Sequence, residues 1–84
     1  MNKIAVRILV KLLRNGYWGR RLINFDDLIV KNTSTKQIAI ACKNLEGKGL
    51  LIRKPGLKGF RYSLNPSKAK EINEIYDCWL RKTI

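Results

Sequence analysis

Hydrophobic periodicity changes along this chain at Gly49, and that change constrains the fold more than any other feature. Before it, apolar residues recur at helical spacing: Ile4, Ala5, Ile8, Leu9, Leu12 and Leu13 form one stripe, and Ile38, Ala41, Cys42 and Leu45 form another. After it, residues 50–54 and 60–64 are short β-rich runs. They are separated by Pro55-Gly56-Leu57-Lys58-Gly59, which has the turn chemistry of a hairpin tip. Helices followed by a hairpin describe an α+β domain. At 84 residues the chain can build one compact core.

Local signals place the remaining elements. A helix is expected over residues 2–15, capped by Asn2 and stopped by Gly16, with Lys3, Arg7, Lys11 and Arg14 on its outer side. The segment from Tyr17 is too short and charged for a helix and leads into a short strand at 21–23. Asn24 is a good N-cap, and Asp26 and Asp27 suit a first helical turn, so a short second helix is expected over 25–31. Asn32-Thr33-Ser34-Thr35 breaks it and caps a third helix over 35–48, closed by Gly49. After the hairpin, Asn65-Pro66 starts a last helix over about 67–81. Its stripe of Ala69, Ile72, Ile75, Tyr76, Trp79 and Leu80, extended by Ile84, is wider than docking onto so small a core requires.

Charge narrows the function. Eighteen Lys and Arg against six Asp and Glu give a net charge of +12, with a pI near 10.3 and no histidine. Such a surplus repels itself in the folded state unless a polyanion is bound. The bases are also segregated: residues 1–25 and 47–70 carry bases and no acid, while the acids cluster at Asp26–Asp27, Glu46, and Glu71, Glu74 and Asp77. Nucleic acid and an acidic membrane face are the candidate partners. Arg7 and Lys11 interrupt the first apolar run, which speaks against a signal peptide or a membrane span and for a cytoplasmic protein.

Other chemistries find little support. Cys42 and Cys78 are isolated, with no histidine or neighbouring thiol to complete a metal site. They read as small buried thiols, a single disulfide being the alternative. Without histidine, a cysteine beside a base, or a glycine-rich phosphate loop, no nucleophile and base can be paired, so an enzyme is not expected. No cofactor, metal or small-molecule ligand is evident.

The segment Ile38 to Leu51, Ile-Ala-Ile-Ala-Cys-Lys-Asn-Leu-Glu-Gly-Lys-Gly-Leu-Leu, resembles the end of a recognition helix and the Leu-Glu-x-Lys-Gly-Leu turn before the wing in regulators of the MarR and ArsR type. Phe60-Arg61-Tyr62-Ser63-Leu64-Asn65-Pro66 is similar to the way wing strands there run into a terminal helix. The order of elements resembles the winged helix-turn-helix family over about four-fifths of the chain: helix, short strand, helix, turn, recognition helix, two-stranded wing, C-terminal helix. The motif-like part is Leu45 to Leu51. Two departures stand out: the turn before the third helix lacks the usual glycine, and the wing is short. The resemblance implies a DNA-binding domain over residues 1–66, with 67–84 as a C-terminal helix of the same domain that can serve dimerisation.

On that resemblance, the third helix enters the major groove. Its core face leaves Lys36, Gln37, Ala39, Ile40, Lys43 and Asn44 outward: amides suited to adenine, lysines to guanine, and apolar groups to thymine methyls. Thr33, Ser34 and Thr35 offer hydroxyls and backbone N–H groups to a phosphate. Arg53, Lys54, Lys58 and Arg61 place the wing on the backbone or minor groove, and Arg20, Arg21 and Lys31 are further backbone contacts. Ile72, Ile75, Tyr76, Trp79 and Leu80 are the expected interface of a homodimer, which would set two recognition helices about 34 Å apart on a palindrome. The expected partner is double-stranded DNA, and the function is that of a nucleoid-associated transcriptional regulator of a prokaryotic, archaeal or viral chromosome. The alternatives are an architectural chromatin protein that coats DNA with little sequence preference, an RNA-binding module, and an interaction module without nucleic acid. The last leaves the charge unexplained, and the RNA reading lacks an aromatic sheet surface for unpaired bases.

Overall fold

A computed structural model describes residues 2–83. Its elements are α1 (Lys3–Arg14), β1 (Ile23–Asn24), a 3₁₀ turn (Phe25–Asp27), α2 (Thr35–Gly47), β2 (Leu51–Gly56), β3 (Gly59–Leu64), a second 3₁₀ turn (Pro66–Lys68) and α3 (Ala69–Thr83). The domain is α+β, three helices on a three-stranded antiparallel sheet of order β1-β3-β2. The central strand pairs on both sides: Ile23 lies opposite Tyr62 and Asn24 opposite Arg61, while β2 and β3 run in register from Leu51 opposite Leu64 to Gly56 opposite Gly59.

The helix ends follow from the residues that make them. Asn2 Oδ1 accepts the Ile4 N–H at 2.7 Å and opens α1. At the exit of α2, Gly49 adopts φ +74. Its N–H then reaches Glu46 O at 3.0 Å and the Leu50 N–H reaches Leu45 O at 3.1 Å. These paired reverse bonds satisfy carbonyls that the helix leaves open. They also carry Leu50 straight into the core. The same motif closes α1 around Gly16, with the Tyr17 N–H on Leu12 O.

The expected second helix is reduced to the single 3₁₀ turn. Asn24 makes no side-chain cap there; its amide donates instead to Asp27 Oδ2 at 3.4 Å. Beyond the turn the chain is irregular, and Leu28 and Val30 are buried while Ile29 between them is 69% exposed. That alternation belongs to extended backbone, which sends successive side chains to opposite sides; helical backbone would have carried Ile29 to the same side as Leu28. Lys11 Nζ donates to Ile29 O at 2.6 Å and pins the segment to α1. Asn32, at φ +61, makes the left-handed step before α2 and so replaces the glycine absent from this turn.

One core cluster joins all the elements: Ala5, Ile8, Leu9 and Leu12 of α1, Ile38, Ala41, Cys42 and Leu45 of α2, Leu51, Tyr62 and Leu64 of the sheet, and Ile72 of α3 among them. Burying each large aliphatic side chain is worth about 1.5–3 kcal/mol. Ile72 is 1% exposed, which corrects its place on a surface stripe: the domain's own core has taken it. Val10 of α1 is also buried, outside this cluster. It sits one turn from Val6, which lines a groove shared with α3, and one turn from Arg14, whose guanidinium lies 5.1 Å from the Trp79 ring and 5.9 Å from the Tyr76 ring. α3 therefore lies along a second apolar seam of α1, and this accounts within one chain for the breadth of its stripe. Ile84, expected to extend that stripe, lies outside the described residues. Cys42 is buried as expected, but Cys78 is exposed, and both are free thiols.

Asn65 joins three parts. Its amide donates to Gly49 O at 2.8 Å, and its Oδ1 accepts from the Ser67 N–H at 3.1 Å and the Ser67 hydroxyl at 2.7 Å. The exit of α2, the end of β3 and the start of the last helical segment share one side chain. No helix among the described residues is long and apolar enough to cross a membrane.

Candidate nucleic-acid interface

α2 is built to present one face. Ser34 Oγ accepts the Gln37 N–H at 3.2 Å, and Gln37 Oε1 accepts the Ser34 N–H at 3.0 Å, a reciprocal capping box. With Ile38, Ala41, Cys42 and Leu45 buried, the residues expected outward are all exposed: Lys36, Gln37, Ala39, Ile40, Lys43 and Asn44. Ile40 remains 57% exposed among them.

Some members of this face carry structural duties that sequence did not reveal. The Gln37 oxygen is engaged at the cap, so a paired contact to adenine would have to share it. The Thr33 hydroxyl donates to Lys31 O at 3.2 Å and that of Ser34 to Gln37 Oε1 at 3.3 Å. Asp26 lines a crevice of about 100 Å³ with Thr35 and Ile38, so an acidic residue neighbours the start of α2. A phosphate at that end would meet it. Lys43 and Asn44, farther along the exposed face, are better placed for an anion or a base edge, and Lys36 is exposed in the first turn.

The hairpin has two different faces. Alternation along paired strands puts Leu51, Arg53 and Pro55 with Leu64, Tyr62 and Phe60 on the side of α2, and Ile52 and Lys54 with Ser63, Arg61 and Asn24 on the other. On the α2 side, Arg53 Nε lies 3.0 Å from Glu46 Oε1, and its guanidinium stands 4.4 Å from the Phe60 ring. On the far side Lys54 and Arg61 are direct cross-strand partners. Like charges so placed repel, and an anion between them removes that cost. Lys58 is exposed at the tip. The turn residues are Leu57 and Lys58, and the left-handed step falls on Gly59, at φ +118. A Cβ on Gly56 would stand 2.9 Å from Gly59 O and from Arg61 Nε, so this position has no room for a side chain.

The outlying bases are dispersed. Arg20, Arg21 and Lys31 are exposed, the first two at the β1 edge of the sheet and Lys31 in the turn before α2. Arg21 lies 5.1 Å from the Tyr17 ring. Ile75, Tyr76, Trp79 and Leu80 are half-buried on α3. The groove of about 620 Å³ between α1 and α3 is lined by Val6, Ile75, Cys78 and Trp79, with Lys3, Arg7 and Lys82 around it.

Two buried groups have shifted chemistry. Burial, and then the Glu46 carboxylate, push the Cys42 thiol up to about 12. Burial also raises the Tyr62 phenol. Neither is an acid or base near neutrality. Among the described residues no cluster of His, Cys, Asp or Glu could hold a metal ion.

Sequence reasoning missed the apolar hairpin tip: Leu57 is fully exposed, Phe60 is 47% exposed, and Pro55 is exposed beside them. The available signal was a large aliphatic residue inside a two-residue turn, where polar residues are the rule. No protein-family model, curated protein or solved structure matches this chain.

Proposed function

We propose that this chain is a winged helix-turn-helix DNA-binding protein in which the first helix of the motif has shrunk to one 3₁₀ turn. The observation that carries the reading is the seating of α2 against the hairpin, where Leu45, Leu51 and Tyr62 share one core and Arg53 lies 3.0 Å from Glu46, so that an exposed polar helix face and a basic hairpin stand side by side. A helix of this kind fits the major groove, and a basic hairpin beside it reaches the flanking backbone or minor groove. The net charge of +12, with one ion pair among the described residues, supplies the electrostatic attraction.

Regulator and architectural protein share this geometry and differ in specificity. Lys36, Lys43 and Asn44 favour some base reading. Selection of bound fragments from random duplex DNA at physiological salt is the test: an enriched motif supports a regulator, and random recovery supports an architectural protein. Tighter binding to structured RNA than to duplex DNA overturns both. A homodimer remains the arrangement for a palindromic site. Its interface would be the α1–α3 groove with the half-buried Ile75, Tyr76, Trp79 and Leu80, where repulsion among Lys3, Arg7 and Lys82 of the two copies makes pairing stronger at high salt than at low. Sedimentation of the protein with and without duplex decides the point.

A further inference from the structure

We infer, on the duplex-DNA reading above, that the hairpin tip is an apolar wedge which enters the minor groove, unstacks a base step and bends the duplex, with Leu57 as the residue that does so. Single exposed aliphatic residues are common on protein surfaces and carry no meaning alone. Here Leu57 is fully exposed, with Pro55 and the 47% exposed Phe60 beside it, and Lys54, Lys58 and Arg61 surround them. The sequence from residue 47 to 70 holds no acid. Apolar tip and basic flank together match a groove whose floor is base edges and whose walls are phosphates.

Reach and width set the mechanism. From Tyr62, buried midway along the hairpin, and its exposed cross-strand partner Arg53, the strand advances three residues to Gly56 and turns at Leu57. At about 3.3 Å per residue that is ~10 Å of projecting ribbon before the turn. The minor groove is about 7.5 Å deep, so the tip reaches its floor, but it is only about 6 Å wide, too narrow for two strands with side chains. The ribbon enters only if the groove opens. Wedging an aliphatic side chain into a base step opens the groove and kinks the duplex toward the major groove. The tip is stiff enough to push: Gly56 and Gly59 are paired, and Arg53 packs over Phe60 just below.

The test is energy transfer between dyes at the two ends of a duplex of about 30 base pairs, which is straight when free because it is far shorter than the persistence length. The same titrations give affinity. The wild-type protein is expected to raise transfer in line with a bend between about 20° and 90°. Leu57→Ala should bind within about tenfold of wild type, with an unchanged salt slope, and leave the duplex straight. Leu57→Phe should keep the bend, and Ile29→Ala, at an exposed aliphatic residue elsewhere, should bend as wild type does. If wild type binds without bending, or Leu57→Ala bends fully, the wedge is wrong and the DNA reading stands. If none of the proteins binds duplex, the DNA reading falls and the wedge with it.

Discussion

Arg53 reaches from β2 to Glu46 in the last turn of α2, with Nε and Oε1 3.0 Å apart, while its guanidinium covers the Phe60 ring. A cation held in this way is already half neutralised, so it differs from Lys58 at the hairpin tip. Lys58→Ala is expected to lower the salt dependence of duplex binding by about one unit. Arg53→Ala should lower it by less than half as much, and Glu46→Gln should tighten binding to every sequence. Anisotropy titrations across a salt series check this. Equal slopes for Lys58→Ala and Arg53→Ala would mean that the ion pair opens on DNA.

Gln37 and Asn44 should part company. Loss of half the capping box in Gln37→Ala is expected to cost about 1 kcal/mol of stability. Asn44→Ala, at an exposed position, should stay within about 0.5 kcal/mol and shift base preference instead. Gln37→Glu keeps an acceptor at the cap and suits the positive end of the helix dipole. Thermal unfolding and fragment selection on the three variants separate cap from reader. A stable Gln37→Ala with altered preference would restore Gln37 to the base-reading set.

Ser63 is fully buried, and its hydroxyl has no hydrogen-bond partner among the described residues. An unsatisfied buried hydroxyl costs about 1–3 kcal/mol, and removing it can be neutral or stabilising. Ser63→Ala should therefore raise the melting temperature, by a few degrees if about 1 kcal/mol is recovered in a domain of this size. A lower melting temperature would show that the hydroxyl is bonded in the folded protein.

The thiols should behave oppositely. Cys78, exposed, should react with a thiol reagent in the native protein, and Cys42 only on unfolding. The Cys42 thiol is raised from 9.0 to about 12 by burial and by Glu46. A group whose folded value lies above its unfolded one stabilises fully below the unfolded value and loses that contribution as pH climbs toward the folded one. Stability should thus fall between about pH 9 and 12, and the fall should be shallower in Cys42→Ala, where the raised Tyr62 phenol still contributes. Denaturant midpoints on either side of pH 9 measure it.

Legibility in the sequence followed how local each signal was. α2 and the hairpin were legible because Ser34, Gln37, Gly49 and the Pro55–Gly59 turn act on neighbours within a few residues. The 25–31 segment was not, because its apolar run is too short for its period to show, and the alternation of Leu28, Ile29 and Val30 is enforced by core packing. Val6 and Val10 were overlooked because a helix ringed by Lys3, Arg7, Lys11 and Arg14 looks one-sided; only its packing against α3 reveals a second seam. The exposed face of α2 was foreseen residue by residue. That Gln37, Thr33 and Arg53 spend their polar groups inside the domain required coordinates, since each contact depends on where a side chain turns.

The bonds of Asn65 bear on how this domain comes apart. One amide group holds the α2 exit through Gly49 and starts the C-terminal segment through Ser67, while Ile72 sits in the same core as α1 and α2. A chain ended at residue 66 would lose Ile72 and open the Val10 seam, so residues 1–66 alone are expected to unfold at a lower temperature than the whole chain. Melting should be a single cooperative event, in which the surface offered to DNA and the helix on the far side of α1 are lost together.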